Sequence, residues 1–571
     1  MTAFKELKQH RGLVFLVYLL TLGNTIGELL LPKFMSQIID VGVAQENISY
    51  IFKMGLIMLS VTFLTILVRG AAAYFSAKTT MRFSRDLRQR LFDKVNHMTF
   101  DETEHFGISS LITRVTNDVA QVENLVLMGL RPLARAPLTF IGGMVMAFIT
   151  NARLTLVIIA CLPILAVMIY VMIHIVIPYF PKLQRSLDRI NLLLRQRLTG
   201  LRVIRAFSRD KKEEETFEEA NETYYQTGLK VNQLMQTINP LLVLVLNLAI
   251  VVTLMIGSRF VDLRIMNIGA LMAFIQYVTQ VLSSLMTMTR MTTILPRTSA
   301  SIERIDEVLE YPSRQVGGKL SLEEPITEIQ ANHLSFSYPG AQIPALKDLN
   351  FSIKKGETLG IIGGTGSGKT TLLKLFLQFY DPTDGELLLN NQSIAKLDTK
   401  SVREKISYVP QQNYFFSDSL RGNLTYSNLT ASDERMLDSL ETAQASDFLP
   451  KEKPLDERVS RGGQNYSGGQ RQRLAISRGL TREASVYIFD DSFSALDYKT
   501  DLRLRQSLKG KLGEAITIIV AQRVATIRHA DKILVLENGQ IQGFATHKEL
   551  MKTNKVYQEI AISQGEEDSH D

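Results

Sequence analysis

The stretch Thr358-Leu359-Gly360-Ile361-Ile362-Gly363-Gly364-Thr365-Gly366-Ser367-Gly368-Lys369-Thr370 decides the fold of the C-terminal half of this chain. Residues 358–362 have the pattern of a short buried strand, and residues 363–370 match Gly-x-x-x-x-Gly-Lys-[Ser/Thr]. We expect a helix to follow over residues 371–379. Glycines in this spacing let successive backbone N–H groups surround a phosphate, and the helix N-terminus adds its positive end. The stretch therefore predicts a P-loop α/β domain that binds a nucleoside triphosphate.

Two further features predict a magnesium site beside this loop. Lys369 would reach the β- and γ-phosphates, and Thr370 would bind Mg²⁺. Residues 486–490, Val-Tyr-Ile-Phe-Asp, have the pattern of an apolar strand that ends in a carboxylate. P-loop domains hold Mg²⁺ through water at such a carboxylate, so Asp490 is the second candidate. Because a buried strand ending in Asp is common in α/β proteins, Asp490 indicates a Mg²⁺ site only in combination with the P-loop.

The N-terminal half has a different composition, which predicts a membrane domain. The chain has 571 residues, of which 46% are hydrophobic, and six long apolar runs begin near residues 12, 51, 133, 154, 241 and 268. The first run, residues 12–35, is long enough at 1.5 Å per residue to cross a hydrocarbon core of about 30 Å. A secretory signal would be shorter, so we expect this run to be retained. The single cysteine, Cys161, excludes a disulfide framework, a cysteine-built zinc site and an iron–sulfur cluster.

Basic residues predict the orientation of the spans. Lys5, Lys8 and Arg11 precede the first run, whereas the following loop, residues 41–49, contains neither Lys nor Arg. The positive-inside rule then places the N-terminus in the cytoplasm, and six crossings return the chain to the same side. We therefore expect the C-terminal half in the cytoplasm too. The formal net charge of +7 requires no nucleic acid, because much of it flanks the spans, where it meets anionic lipid.

Two long polar segments of helical period separate the spans on the cytoplasmic side. One lies between the second and third spans, and the other covers roughly residues 182–236. Short breaks at residues 100–107 and 205–209 could turn each helix and present a contact to the soluble domain, although solvated amphipathic loops are the alternative. We place the membrane domain at residues 1–310, a linker at 311–325 and the nucleotide-binding domain at 326–571.

The run Tyr466-Ser467-Gly468-Gly469-Gln470-Arg471-Gln472-Arg473 resembles the signature of ATP-binding cassette (ABC) transporters. The resemblance extends over essentially the whole chain. Tyr338 looks like the aromatic residue that stacks on adenine, Gln411 like the glutamine that senses Mg²⁺ and the membrane domain, and residues 494–497 like the D-loop. Six spans fused N-terminally to one cassette resemble a type I exporter half-transporter. The resemblance thus implies an all-α six-helix membrane domain fused to an α/β P-loop nucleotide-binding domain.

The resemblance also implies a set of residues for ATP and Mg²⁺. The implied ATP contacts are Tyr338, Gly363, Gly364, Thr365, Gly366, Ser367, Gly368, Lys369, Thr370, Thr371 and Gln411, with Ser467, Gly468, Gly469 and Gln470 from the signature. The implied Mg²⁺ positions are Thr370, Gln411 and Asp490. In this family the signature of one cassette contacts the ATP of the other, so the resemblance implies a dimer. The two breaks then resemble the family's coupling helices.

Two positions depart from the family pattern on the side of hydrolysis. Most such cassettes have Glu after the Mg²⁺-binding Asp, and here the residue is Asp491. A general base must come within about 2.6–3.2 Å of the attacking water. The shorter Asp would fall short by about 1–1.5 Å, and a misplacement of that order costs about 10²-fold in rate. The family also expects a switch His where this chain has Gln522, whose amide can donate to a phosphate but cannot carry a positive charge or relay a proton.

These departures resemble the degenerate-site subunit of bacterial heterodimeric multidrug exporters. The resemblance implies a second half-transporter, with a standard Glu and His, whose competent site this chain's signature would complete. It also implies a multi-pass protein of the bacterial plasma membrane that exports amphipathic compounds. A lipid or peptide exporter remains an alternative. So does a nucleotide-gated membrane regulator or channel, which ion conductance without ATP-dependent uptake into vesicles would indicate.

The transported compound is the least predictable property. Glu28 lies inside the first apolar run, where an ionisable group costs about 2.5–3.5 kcal/mol and should face a cavity or a partner. It could attract a cationic compound, pair with another helix or lie near a boundary. Other candidates, each open to an ordinary packing role, are the polar residues Asn247, Gln276 and Gln280 and the methionines Met272, Met286, Met288 and Met291.

Overall fold

The computed structural model of the chain describes residues 2–290, 295–312 and 316–564. The chain divides into two compact units, which we describe separately. The first contains residues 1–97 and 103–312, and the second contains residues 98–102 and 313–571.

The first unit consists of helices joined by turns, with no strand among its described residues, because its long apolar runs must satisfy every backbone hydrogen bond internally. Its helices are α1 Lys5–Gln9, α2 Arg11–Gln37, α3 Ile48–Asn96, α4 Phe100–Phe106, α5 Ile108–Thr113, α6 Val119–Leu130, α7 Pro132–Thr150, α8 Ala152–Val171, α9 Tyr179–Thr199, α10 Leu201–Ala206, α11 Asp210–Asp262, α12 Ile268–Arg290 and α13 Leu295–Glu310. The first three residues of α4, 100–102, belong to the second unit.

Six helical stretches of the described chain are long and apolar enough to cross a membrane, which confirms the predicted number of spans. They are Arg11–Val43, Ile48–Asn96, Ile108–Thr150, Ala152–Thr199, Asp210–Asp262 and Ile268–Met288. Most of them are longer than the roughly 20 residues that a bilayer requires. The protein is therefore a multi-pass membrane protein.

Close helix packing around α2, α7 and α12 forms the centre of the first unit. A Cβ added at Gly142 would lie 2.4 Å from Leu29, and one added at Gly143 would lie 2.7 Å from Val281. The Tyr277 hydroxyl of α12 donates a hydrogen bond of 3.1 Å to the carbonyl oxygen of Leu29. Small residues at helix contacts let backbones approach closely, which is how helices associate without a hydrophobic driving force.

Both predicted breaks in the long polar helices include a backbone turn, although most of the first, residues 100–106, is the short helix α4. Gly107, with a φ of 74°, separates α4 from α5. The second break is the turn between α10 and α11, where Ser208 has a φ of 51°. Non-glycine residues rarely adopt a positive φ, and an α-helix cannot continue through this residue.

The second unit contains mixed sheets and short helices. Its strands are β1 Glu328–Phe336, β2 Leu346–Lys354, β3 Thr358–Ile362, β4 Asp384–Leu389, β5 Gln392–Ser393, β6 Ile406–Val409, β7 Asp418–Ser419, β8 Arg458–Val459, β9 Val486–Asp490, β10 Ile516–Val520, β11 Lys532–Glu537 and β12 Gln540–Ala545. Its helices are α14 Lys369–Phe376, α15 Thr399–Glu404, α16 Leu420–Thr425, α17 Asp433–Thr442, α18 Gly468–Thr481, α19 Tyr498–Lys511, α20 Val524–Ile527, α21 His547–Thr553 and α22 Lys555–Ser563.

The larger sheet has the strand order β12-β11-β3-β10-β9-β6, with β12 antiparallel and the other neighbours parallel. Strands β9 and β10 are buried along their whole length, as expected for parallel strands covered on both faces. The carboxyl ends of β3, β10, β9 and β6 lie at one edge of this sheet. A second, antiparallel sheet has the order β2-β1-β4-β5.

The helix after the P-loop differs from the prediction. It covers Lys369–Phe376 instead of residues 371–379. Gly368, at a φ of 102°, permits the earlier start. Gln378 takes a left-handed φ of 52°, and the N–H of Phe379 donates back to the carbonyl of Lys374, so the helix ends before Gln378.

Candidate nucleotide-binding site

The P-loop joins the end of β3 to the start of α14, and the space around its first glycine admits no side chain. A Cβ at Gly363 would lie 2.1 Å from the carbonyl oxygen of Leu536, so no larger residue fits there. Gly364 and Gly366 instead have no atom within 4 Å of an added Cβ, which leaves the inner face of the loop open. The loop therefore forms a cradle of backbone groups that fits a phosphate.

Lys369 lies within this cradle. Its Nζ donates to the carbonyl oxygens of Gly363 and Gly364, each at 2.7 Å, and to Ser367 Oγ at 3.4 Å. Burial lowers the pKa of Lys369 below its ordinary range, and the charges of Asp491 and Asp490 oppose that shift. The ammonium group is thus positioned where a phosphate would replace the two carbonyl oxygens as its partner. Thr370, at the start of α14, is exposed.

Asp490 ends β9 and is almost completely buried, with 4% of its surface exposed. The Tyr408 hydroxyl, on the neighbouring strand β6, donates to Asp490 Oδ2 at 3.1 Å. Burial raises the pKa of Asp490 above its ordinary range. The charge of Asp491 raises it further, whereas the Tyr408 hydrogen bond and the charge of Lys369 lower it. A carboxylate held in this way is suited to a cation, which would remove the cost of burying its charge.

The next residue, Asp491, has a carboxylate that two glutamines share. Gln411 Nε2 donates to Asp491 Oδ2 at 3.0 Å, and Gln522 Nε2 donates to the same oxygen at 2.9 Å. The three residues follow β6, β9 and β10, which are neighbours in the sheet. The structure therefore brings together both positions that depart from the family pattern. Asp491 also has a φ of 48°, which is unusual for a residue other than glycine.

Tyr338, the candidate for adenine stacking, lies beside the start of α14. Its hydroxyl is 3.1 Å from Thr371 Oγ1, and its ring makes an edge contact with Tyr380 at 5.4 Å. The Nζ of Lys374 lies 5.3 Å from the centre of the Tyr338 ring. A tyrosine fixed at both its hydroxyl and its ring edge keeps a defined orientation, which suits a stacking contact.

The signature residues form the start of α18. Ser467 is the N-cap, and it forms a reciprocal capping box with Gln470. Ser467 Oγ accepts from the N–H of Gln470 at 3.3 Å, and the N–H of Ser467 donates to Gln470 Oε1 at 2.8 Å. Ser467 and Gly468 are exposed. The capping box fixes an exposed helix N-terminus, which is a suitable surface for a phosphate from a second molecule.

Two residues near the site have roles that the sequence did not indicate. Tyr408 holds Asp490, as described above. Gln472, on α18 and 5% exposed, donates from Nε2 to the carbonyl oxygen of Asp491 at 3.0 Å and accepts from the N–H of Ala495 at 3.2 Å. Only the packing of α18 against the turn after β9 identifies this bridge, since Gln472 lies 19 residues before Asp491 in the chain.

In the first unit, Glu28 has a specific partner. Arg135 Nη2 donates to Glu28 Oε2 at 2.5 Å. Gln276 and Gln280 line a cavity together with Glu28, whereas Asn247 is exposed on α11. Met272 and Met288 expose 48% and 39% of their surface, and Met291 lies outside the described residues.

Fold and site together define a membrane protein that carries its own nucleotide-binding domain, and comparisons with known proteins agree. Residues 14–285 match the family described as the ABC transporter transmembrane region, and residues 346–494 match the family described as ABC transporter. An uncharacterised ABC transporter ATP-binding protein of Mycobacterium tuberculosis is 36% identical over 566 residues, which are 98% of this chain and 97% of that protein. An uncharacterised ABC transporter ATP-binding protein of Bacillus subtilis is 31% identical over 98% of both chains.

Among solved structures, a bacterial Atm1-family ABC exporter with ATP bound has a similar fold. The TM-score is 0.79 at 20% sequence identity, and the match covers 99% of each chain. The chain belongs to the ABC transporter family, with a transmembrane and an ATP-binding domain fused in the exporter architecture.

Proposed function

We propose that this chain is one subunit of a heterodimeric, ATP-driven exporter of amphipathic compounds in the bacterial plasma membrane, with its N-terminus and ATP-binding domain in the cytoplasm. It binds ATP and Mg²⁺ at a degenerate site that hydrolyses ATP slowly. Its signature completes the competent site of a partner that carries the standard Glu and His. The observation that carries the proposal is the shared hydrogen bonding of Gln411 and Gln522 to Asp491 Oδ2.

The residues of this chain's P-loop and its surroundings support the binding of ATP and Mg²⁺. The open backbone cradle of the P-loop and the Nζ of Lys369 are placed for phosphate oxygens. Asp490 and Thr370 are the candidates for Mg²⁺, with Gln411 nearby, and Tyr338 is the candidate for adenine. When bound, Mg²⁺ would neutralise phosphate charge at this edge of the sheet. Binding therefore depends on residues that retain the family pattern.

Hydrolysis depends on the two residues that depart from the family pattern, Asp491 and Gln522. A general base needs a free lone pair directed at the attacking water. An oxygen of a carboxylate has about two lone-pair positions, and both of those on Asp491 Oδ2 are used by amide donors. Oδ1 remains, on a side chain one methylene shorter than Glu. Gln522 cannot replace a histidine in moving a proton, because an amide does not titrate.

The experiment compares the two sites of the assembled transporter. Asp491→Asn should leave most of the ATPase activity, because turnover takes place at the partner's site. Changing the partner's catalytic Glu to Gln should abolish it. If Asp491→Asn abolishes turnover and the partner's change does not, the proposal has the sites the wrong way round.

A matched pair of variants tests the assignment in this chain directly. Asp491→Glu with Gln522→His restores both the reach and the titrating group, so ATPase activity at this site should rise about 10-fold or more. Adding Lys369→Ala to that double variant should remove the gain, because the cradle loses its cation. No gain in the double variant would contradict the claim that these two residues limit hydrolysis.

A further inference from the structure

One charged residue of the first unit, Glu28, lies near the middle of the first span. Glu28 is about 25 Å from one end of the stretch Arg11–Val43 and about 22 Å from the other at 1.5 Å per residue. Arg135 donates to one of its carboxylate oxygens, and Arg69 Nη1 lies 3.9 Å from the other. Arg131 lies one helical turn before Arg135 and forms no ion pair with the residues that the structure describes. Two arginines therefore contact one carboxylate, and a third, Arg131, lies one helical turn from Arg135.

These residues line two adjoining cavities. Glu28 and Arg135 line one of about 540 Å³, and Arg69, Arg131 and Arg135 line one of about 180 Å³. Pro132 and Arg135 belong to both linings, so the cavities adjoin at these residues. No other acidic side chain lines either cavity among the described residues. The combined lining carries a net charge of +2.

This excess of positive charge favours a negatively charged group from outside the chain. Charged groups within a bilayer are costly and face a cavity or a partner, where they find a counter-charge. Like charges four residues apart on a helix repel each other, as Arg131 and Arg135 do here. Glu28 is already paired with Arg135 and Arg69, so a cationic compound would meet an excess of two positive charges. The local charge thus disfavours the cationic substrate that Glu28 alone suggested.

The remaining walls of the larger cavity provide both apolar contacts and hydrogen-bonding groups. Leu31, Pro32 and Ala136 lie on the apolar side, and α12 contributes a row of amide and hydroxyl side chains. Thr139 Oγ1 and Gln280 Oε1 are buried and have no hydrogen-bond partner among the described residues. Unpaired polar atoms are costly, so a ligand that reaches them after a side-chain rotation gains affinity.

We propose that this cavity binds an anionic amphiphile, with its acidic group at Arg69, Arg131 and Arg135 and its apolar part along Leu31, Pro32 and Ala136. The proposal rests on the proposed function in that the ligand is the exported compound. The acidic group could belong to a free organic anion or to an acidic lipid, because both present the same chemistry to the arginines.

The test measures binding by the full chain in nanodiscs of phosphatidylcholine. Two probes share one fluorophore and differ only in a terminal carboxylate or a terminal trimethylammonium group. Fluorescence anisotropy should give a Kd about 10-fold lower for the carboxylate probe. Arg131→Gln should raise that Kd about 5- to 10-fold, and Arg131→Lys should restore most of the affinity. Arg153→Gln, at an exposed position in the first turn of α8, should change nothing.

A second variant and a lipid arm complete the test. Arg69→Gln, at a side chain that is 61% exposed, should also weaken the carboxylate probe. Competition by phosphatidylglycerol in the nanodiscs would identify an acidic lipid as the ligand, and absence of competition a free organic anion. Equal binding of the two probes, or unchanged affinity in both glutamine variants, would overturn the proposal. Since the assay requires no ATP turnover, its failure leaves the degenerate-site proposal standing, and failure of the ATPase experiment leaves this one standing.

Discussion

At the scale of single residues, the proposed Mg²⁺ site depends on the ionisation of Asp490. Its pKa is raised by burial, and the Tyr408 hydrogen bond is one of the two interactions that lower it. Protonated Asp490 cannot hold Mg²⁺. The affinity of the empty site for Mg-ATP should therefore fall as the pH decreases through this raised pKa. The affinity falls with decreasing pH because Mg²⁺ binds only the deprotonated carboxylate of Asp490.

Tyr408→Phe removes a hydrogen bond that lowers the pKa of Asp490 while keeping the ring. The pKa should rise further, so Mg-ATP affinity should begin to fall at a higher pH than in the wild type. Binding of a fluorescent ATP analogue, measured over a pH series, gives this difference. Protonation of the nucleotide itself affects both proteins equally, so it cancels in the comparison. Tyr487→Phe is the matched control, because the Tyr487 hydroxyl donates to the carbonyl of Arg482 instead. Identical pH profiles for wild type and Tyr408→Phe would contradict this account.

The sequence predicted Asp490 but not its partner, and the reason is physical. A carboxylate at the end of an apolar strand is visible in one short segment. Tyr408 contacts Asp490 only because β6 and β9 are parallel neighbours, with Tyr408 opposite Ile488. The same holds for Glu28, Arg69 and Arg135, which come from α2, α3 and α7. Contacts set by tertiary packing leave no local pattern to read.

At the scale of elements, Gln472 connects α18 to the turn between β9 and α19. It bonds the carbonyl of Asp491 and the N–H of Ala495 from a buried position. A buried group left without a partner costs about 1–3 kcal/mol. The bridge therefore fixes the turn that carries Asp491 to the helix that begins with the signature.

Gln472→Met should fill a similar volume without either hydrogen bond. We expect a loss of about 1–3 kcal/mol in the stability of the second unit, chiefly from the N–H of Ala495. Scanning calorimetry of the full chain in nanodiscs would detect it as a lower unfolding temperature. Gln464→Met, at an exposed position just before the signature, is the control. Equal unfolding temperatures for the two variants would show that the bridge contributes nothing to stability.

Local sequence patterns predicted the strand and loop of the P-loop segment better than they predicted the end of the helix that follows. The glycine spacing correctly indicated β3, the loop and a following helix. The end of α14 was wrong by three residues, because the left-handed backbone of Gln378 is stabilised by its side chain, which donates to the carbonyl of Ile394 at 2.6 Å. That contact comes from a segment 16 residues away, beyond any helix-end signal.

At the scale of the whole molecule, the chain combines a six-span helical unit with an ATP-binding unit. The apolar runs predicted the number of spans because lipid demands long, internally hydrogen-bonded helices. The predicted linker at residues 311–325 and the orientation across the membrane stay predictions. Orientation rests on three basic residues before the first span and on none in the loop that follows it.

Cysteine labelling can test this orientation, since Cys161 is the single cysteine of the chain and is buried. In a Cys161→Ser background, Gln45→Cys places a thiol in the loop after the first span, and Lys552→Cys places one at the end of α21; both positions are exposed. A membrane-impermeant maleimide should label Gln45→Cys in intact cells, because that loop faces outward. It should label Lys552→Cys only after permeabilisation. The reverse pattern would place the ATP-binding unit outside the cell, away from cytoplasmic ATP, and would contradict both the orientation and the proposed use of ATP.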